Sequence, residues 1–138
     1  MVVILYRQFK RTKIMSLDIS FKRPLPEDCT KCKHCETVKE SLGKENLYLN
    51  VTHNHREMAE EAGIYYAMWR PEEIGLERAS DVLPYLLEGL DKLQKDPEKY
   101  KKFNPKNGWE NYEGFVDFVQ KYINCCILYP THFINVWR

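Results

Sequence analysis

The sequence lacks the long apolar run that a membrane-spanning helix needs. No stretch approaches the roughly 18 consecutive apolar residues typical of such a span. It also lacks the order of a secretory signal, because residues 2–6 are apolar and the basic residues follow them. These absences favour a cytoplasmic location and predict no membrane partner.

Several enzyme signatures are missing as well. The chain contains no nucleophile elbow, no phosphate-binding P-loop and no dinucleotide-binding fingerprint. It has no internal repeat and no low-complexity tract. The sequence therefore names no reaction and leaves open whether the protein is an enzyme.

Acidic side chains are absent from residues 1–14, which carry Arg7, Lys10, Arg11 and Lys13. Of 21 basic and 20 acidic residues in the chain, residues 15–138 keep 17 basic and all 20 acidic, a net charge of −3. A domain of that sign suits a nucleic-acid backbone poorly, so we expect no nucleic-acid partner.

The chain divides at Met15, which begins a segment that resembles a natural start. We predict a basic N-terminal extension over residues 1–14 and one domain over residues 15–138. The extension is either disordered or, in the alternative, contains a strand over residues 2–6. Residues 15–138 are long enough to bury a core without disulfides or metal.

Cysteine is scarce outside one short polar segment. Three of the five cysteines, Cys29, Cys32 and Cys35, stand two residues apart there, and the other two are the adjacent pair 125–126. An odd count with this spacing does not resemble a disulfide framework. Reduced thiols or a metal site fit better.

Zinc is the metal that this cysteine spacing favours. Structural zinc takes four ligands at tetrahedral angles, and Cys-x2-Cys turns supply two thiolates each. We expect zinc to be held by Cys29, Cys32 and Cys35, with His34, Asp28 or a more distant histidine as the fourth ligand. A partner Cys-x2-Cys pair is absent, so an iron–sulfur cluster, a redox or disulfide role, and plain surface thiols stay open.

Hydrophobic periodicity predicts the secondary structure. Apolar and polar residues alternate over residues 17–22 and 47–52, and residues 132–138 form a plausible last strand. Three helices are predicted: a short one capped by Asn54 and closed by Gly63, one capped by Ser80 with a leucine stripe, and a long one over residues 112–126. Residues 71–75 read as one helical turn.

This element order predicts an α+β fold. We expect a small antiparallel sheet of about three strands covered by three or so helices, with the cysteine-rich segment inserted between the first two strands. In that topology the segment lies at the opposite end of the sheet from His53, about 25 Å away. A Cys-x2-Cys…His-x-His zinc site is therefore disfavoured.

Three predicted turns combine polar groups with aromatic rings. Their candidate ligand-binding residues are His53, Asn54, Trp69, Arg70, Asn107 and Trp109. Arg70 offers a forked donor to a carboxylate or phosphate, Trp109 a stacking face, and the helix after Asn54 free amides. This chemistry favours a small anionic ligand. In the alternative, Asn54 is only a cap, the tryptophans are core anchors, and Arg70 pairs with Glu72 or Glu73.

From residue 15 onward the chain resembles a family of small uncharacterised proteins found in phages and bacteria. The residues that carry the resemblance are 15–18, 51–54, 58–59, 62–65, 69–75, 103–105 and 107–109, with Tyr112, Phe115 and Cys126. The chain departs from the family pattern at His55 and Glu110, where the family usually has leucine and glycine. The resemblance implies no catalytic residue, because the family has no established activity.

Three functional interpretations follow. The leading one is a small cytoplasmic binding protein of phage or prophage type, with a structural zinc and a small anionic ligand. The second is a metal-dependent or histidine-dependent enzyme that uses the same residues. The third is an interaction module for a host protein.

Overall fold

Alternating apolar side chains build a three-stranded antiparallel sheet in the computed structural model, which describes residues 16–23, 47–104, 106 and 111–138. The strands are β1 (Ser16–Lys22), β2 (Leu47–Thr52) and β3 (Phe133–Trp137), in the order β2-β1-β3. Leu17, Ile19 and Phe21 of β1 are fully or almost fully buried. The predicted α+β fold with an antiparallel sheet of three strands is therefore confirmed.

The pairing of β1 with β2 shows which residues lie at each end of the sheet. Ser16 pairs with Thr52 at one end of the β1–β2 ladder, and Phe21 pairs with Leu47 at the other. His53 thus follows β2 at the Ser16 end. The residues between the first two strands, including the cysteine-rich segment, lie outside the described residues.

Five α-helices and two 3-10 turns occur in the described part of the chain. The helices are α1 (Arg56–Glu61), α2 (Tyr65–Trp69), α3 (Ala79–Lys95), α4 (Pro97–Lys101) and α5 (Tyr112–Leu128), and the turns are His53–His55 and Pro71–Ile74. The sequence did not predict α2, which is too short to show a helical period, or α4. The start of α4 is well marked, because the Asp96 carboxylate accepts from the Lys99 amide and Pro97 takes the first position. None of the described helices is both long and apolar enough to cross a membrane.

Two predicted helix caps are wrong. Thr52, not Asn54, supplies the cap at the first turn, since its hydroxyl oxygen accepts a hydrogen bond from the Asn54 amide at 3.3 Å. At α3 the cap residue is Arg78 rather than Ser80. The Asp81 carboxylate reaches back to the Arg78 amide at 3.0 Å. In both cases the element begins earlier than predicted, at His53 and at Ala79, so the cap falls on an earlier residue.

The core lies between the inner face of the sheet and the antiparallel pair α3 and α5. Phe21 of β1 meets Tyr122 of α5 edge to face, with ring centroids 5.8 Å apart. The Tyr112 hydroxyl donates to the Leu93 carbonyl at 2.7 Å, which joins the start of α5 to the last turn of α3. This frame holds the α1–α2 pair beside the sheet.

The α1–α2 link approaches α3 at Gly89. Gly63 closes α1 in a left-handed conformation with a φ of 78°, as the sequence predicted, and Ile64 then packs directly on α3. A Cβ atom at position 89 would lie 2.1 Å from Cγ2 of Ile64. Glycine is therefore required here by contact with a neighbour, even though it weakens the helix.

We expect Gly89→Ala to destabilise the protein by about 1–2 kcal/mol, because overpacking outweighs the helix propensity that alanine adds. Ile64→Ala alone should cost about 2–4 kcal/mol through the cavity that it leaves. The double variant should be less destabilised than the sum of the two. Urea midpoints of the four proteins measure this, and strict additivity would contradict the contact.

Candidate functional site

The site is built where β2 ends in the His53–His55 turn. The Thr52 cap fixes this turn, and α1 begins directly after it at Arg56. His55 points inward, is fully buried, and stacks on Phe115 with ring centroids 4.9 Å apart. Of the two histidines in this turn, His55 belongs to the core, and His53 remains at the surface of the site.

His53 is held by Trp69, the last residue of α2. The indole Nε1–H of Trp69 donates to Nδ1 of His53 at 2.8 Å. Trp69 is 2% exposed and stacks on Tyr65, with ring centroids 5.7 Å apart. Trp69 is therefore a core anchor that positions His53 from beneath, and its own ring does not face a ligand.

This hydrogen bond sets the protonation state of His53. Nδ1 acts as an acceptor, so the proton of the neutral imidazole is on Nε2. Burial, followed by the positive charge of Arg56, lowers the pKa of His53 below its ordinary value of 6.5, and the charge of Asp18 opposes part of that change. Nε2 has no hydrogen-bond partner within the described residues. The neutral ring of His53 thus has a buried Nε2–H donor without a partner in the described part of the chain.

A basic groove lies in front of His53. It has a volume of about 590 Å³, and its lining residues are His53, Asn54, Arg56, Glu57, Lys102, Phe103, Asn104 and Lys106. Three of these are cations and one is an anion. Within the described part of the chain, Lys102 and Lys106 make no ion pair, unlike Lys99 and Lys101 just before them. The basic groove therefore carries uncompensated positive charge.

Asn104 fixes the far wall of the basic groove. Its side-chain oxygen accepts from the Tyr112 amide at 2.8 Å, so residue 104 is tied to the start of α5. Asn111 caps the same helix through the Gly114 amide at 3.1 Å. The wall that carries Lys102 and Lys106 is thus anchored to the main helical frame.

Arg70 lies in a neighbouring depression, which we call the tyrosine groove. This groove has a volume of about 520 Å³ and is lined by Arg56, Glu60, Gly63, Tyr65, Tyr66, Arg70 and Glu73. Arg70 donates from Nε to the Tyr65 hydroxyl at 3.1 Å and from Nη1 to Glu73 at 3.1 Å. Its donors are partly used within the protein, as expected from the alternative in which Arg70 pairs with Glu72 or Glu73.

The structure thus brings together some of the predicted ligand-binding residues. His53 and Asn54 line the basic groove, Trp69 lies beneath it, and Arg70 lines the tyrosine groove. Asn107 and Trp109 lie outside the described residues, as do Cys29, Cys32, Cys35 and His34. The described neighbours Asn104 and Lys106 do reach the basic groove.

Sequence reasoning missed Arg56, Lys102 and Lys106 as site residues. The signal for the lysines was present, because residues 99–106 form a visibly basic connector. Which of its lysines are free is decided by distant carboxylates: Lys99 pairs with Glu61 at 3.0 Å, and Lys101 lies 3.8 Å from Glu113. The sequence does not show those pairings.

Comparison with known protein families, with curated proteins and with solved structures finds no match for this chain. The resemblance to a phage and bacterial family therefore stays a prediction from the sequence motifs. The function has to be argued from the geometry of the two grooves.

We expect acid to weaken the protein through His53. Once Nδ1 of His53 is protonated, its N–H faces the indole N–H of Trp69, and neither group can accept. The hydrogen bond between them, worth about 1 kcal/mol, is then lost. Because the folded-state pKa is lowered, this stability is present above pH 6.5 and is lost as the pH falls through the folded-state pKa. NMR titration of His53 and urea midpoints between pH 7.5 and 5 measure the effect.

His53→Asn is the matched control for this titration. Its side-chain oxygen can accept from the Trp69 indole but does not titrate, so the stability lost between pH 7.5 and 5 should shrink. A His53 that titrates at or above 6.5 would show that the hydrogen bond to Trp69 does not hold the ring neutral.

Proposed function

We propose that this protein binds a small anionic molecule in the basic groove. The observation that carries the proposal is the positive charge of Lys102 and Lys106, which make no ion pair within the described residues, whereas Arg56 in the same lining pairs with Glu60. This positive charge is local, since residues 15–138 as a whole are net negative. Charge placed against the overall balance of a domain is a feature expected of an anion site.

The remaining lining supports an anion by hydrogen bonding. The neutral His53 in this lining keeps a buried Nε2–H donor that has no partner among the described residues, and the Asn54 side-chain amide is a further potential donor. Hydrogen bonds from charged and neutral donors together are the usual means of holding a carboxylate or phosphate. A volume of about 590 Å³ suits a small molecule.

The same geometry favours binding over histidine-dependent catalysis. A general base needs an unprotonated nitrogen within reach of the substrate. In His53 the unprotonated nitrogen is Nδ1, and it is occupied by the Trp69 indole. The role available to His53 is therefore donation of a hydrogen bond.

Replacing Lys102 and Lys106 together by alanine tests the proposal. The double variant should bind pyrophosphate at least tenfold more weakly than the unchanged protein, because each lost charge-assisted hydrogen bond contributes about 1.5–3 kcal/mol. Isothermal titration at constant ionic strength measures the affinities, and the affinity of the unchanged protein should fall with added salt.

Lys22→Ala is the matched control. Lys22 is exposed at the end of β1 that lies away from His53, so its removal should leave pyrophosphate affinity unchanged. Equal losses from the control and from the double variant would mean that the anion is held by general charge. Failure of the unchanged protein to bind pyrophosphate or citrate would reject an anion site in this groove.

We also propose that Cys29, Cys32 and Cys35, with His34 as the fourth ligand, hold a structural zinc ion. The spacing of the three thiols supports this proposal, and all four residues lie outside the described residues. Within the described ranges, no group of three or more His, Cys, Asp or Glu side chains is placed to hold a metal ion. Any resident zinc is therefore expected in the cysteine-rich segment.

Removing two of the thiols tests the zinc proposal. The Cys29→Ser and Cys32→Ser double variant should lose one equivalent of zinc per chain, measured by elemental analysis of protein purified without chelator. Cys125→Ser is the control and should keep the metal. Metal-free unchanged protein, folded and with all three thiols open to titration, would refute the proposal.

A further inference from the structure

We propose that the basic groove and the tyrosine groove form one composite site for a nucleoside-monophosphate-like ligand, with the phosphate in the first and the aromatic base in the second. This inference rests on the proposed anion binding and adds the class of ligand. Its starting observation is that Arg56 lines both grooves. One side chain therefore joins two depressions of similar size and different chemistry.

Arg56 has donors left for a ligand. Its Nε bonds Glu60 at 3.1 Å, and its guanidinium lies 5.0 Å above the centre of the Tyr65 ring. Its two terminal nitrogens make no hydrogen bond within the described ranges. The ring and Glu60 hold the guanidinium at the boundary between the grooves, where its remaining donors suit a phosphate.

The tyrosine groove has the features of an aromatic subsite. Tyr66 is 52% exposed and stands edge-on to Tyr65, with ring centroids 5.2 Å apart. Tyr65 is fixed by its stack on Trp69 and by the hydrogen bond from Arg70. Tyr65 itself is buried, so the stacking surface for a planar ligand is the exposed ring of Tyr66, which the fixed Tyr65 supports from one side.

The charge of the tyrosine groove excludes it as a second anion site. Arg56 and Arg70 are balanced there by Glu60 and Glu73, each of which accepts a hydrogen bond from one of the arginines. A neutral heteroaromatic ring with N–H groups fits this balance, because carboxylate oxygens can accept further hydrogen bonds. A second phosphate would meet two carboxylates.

Size and charge also limit the ligand to a molecule about as large as a single nucleotide. Each groove falls within the roughly 300–1,000 Å³ typical of small-molecule sites. Glu57, Glu60 and Glu73 interrupt the cationic surface, so a long phosphate backbone would meet repulsion.

Titration with matched ligands tests the composite site. We expect GMP or AMP to bind at least tenfold more tightly than ribose 5-phosphate, because only the nucleotides carry a base to stack. Tyr66→Ala should remove this advantage and leave the affinity for ribose 5-phosphate unchanged. Tyr66→Phe should retain the advantage, and so should Tyr85→Ala, which removes an exposed tyrosine of α3 that lines neither groove.

The outcomes separate this inference from the proposed function. Equal affinities for the nucleotides and ribose 5-phosphate would overturn the composite site while leaving the anion site intact. A nucleotide advantage that survives Tyr66→Ala would also overturn it, since the base would then lie elsewhere. If none of these ligands, pyrophosphate or citrate binds, both proposals fail.

Discussion

The hydrogen bond from the Trp69 indole to His53 is the interaction on which the site depends. A buried indole N–H must find an acceptor, and the one that it finds is a ring nitrogen at the end of β2, sixteen residues earlier. This pairing ties α2 to the sheet. It also selects the histidine tautomer, and thereby makes the buried Nε2 a donor.

Trp69 is held from other directions as well. Its ring stacks on Tyr65, and its backbone carbonyl accepts a hydrogen bond from Arg138 at 3.0 Å, just beyond β3. Arg138 also pairs with Glu72 in the turn that follows α2. Contacts from the residues that follow β2 and β3 and from Tyr65 of α2 thus converge on Trp69, which gives the surface above it a rigid base.

Local charge gives the two grooves their different chemistry. Many exposed lysines outside the grooves have a carboxylate nearby, as Lys95 has Asp91 at 2.8 Å and Lys121 has Asp117 at 3.0 Å. Such pairs contribute little stability, but the opposite charges of each pair largely cancel each other's electric field. Salt screens the remaining field over a Debye length, roughly 8 Å. In the tyrosine groove the cancellation is complete, whereas in the basic groove Lys102 and Lys106 escape it.

The sequence predicted the sheet well because alternation directly records which face of a strand is buried. The predicted strand over residues 17–22 differs by one residue from Ser16–Lys22. The predicted helix caps failed because each element begins earlier than its residue pattern indicates. The first turn begins at His53, so Thr52 is its cap, and α3 begins at Ala79, so Arg78 is its cap. The first residue of a helix is set by backbone angles, which the pattern of residues does not determine.

The site was predictable only in part, for a related reason. His53 and Asn54 were found because they stand at the end of a predicted strand and beside the N-terminus of a predicted helix. The contact of buried Trp69 with His53 depends on packing between segments distant in the chain. The pair between Arg70 and Glu73 is local, and it was one of the alternatives that the sequence left open. Asn107 and Trp109, like the proposed zinc ligands, lie outside the described residues and stay predictions.

The contact of Ile64 with Gly89 and the bond between Trp69 and His53 impose rules on any chain that shares this fold. A residue with a Cβ at position 89 requires a smaller neighbour at 64, because the two compete for the same space. A substitution at position 53 must likewise be accompanied by one at position 69, since His53 without Trp69, or Trp69 without His53, leaves a buried polar group unsatisfied. In distant relatives these two pairs of positions should therefore covary, even where the surrounding sequence has diverged.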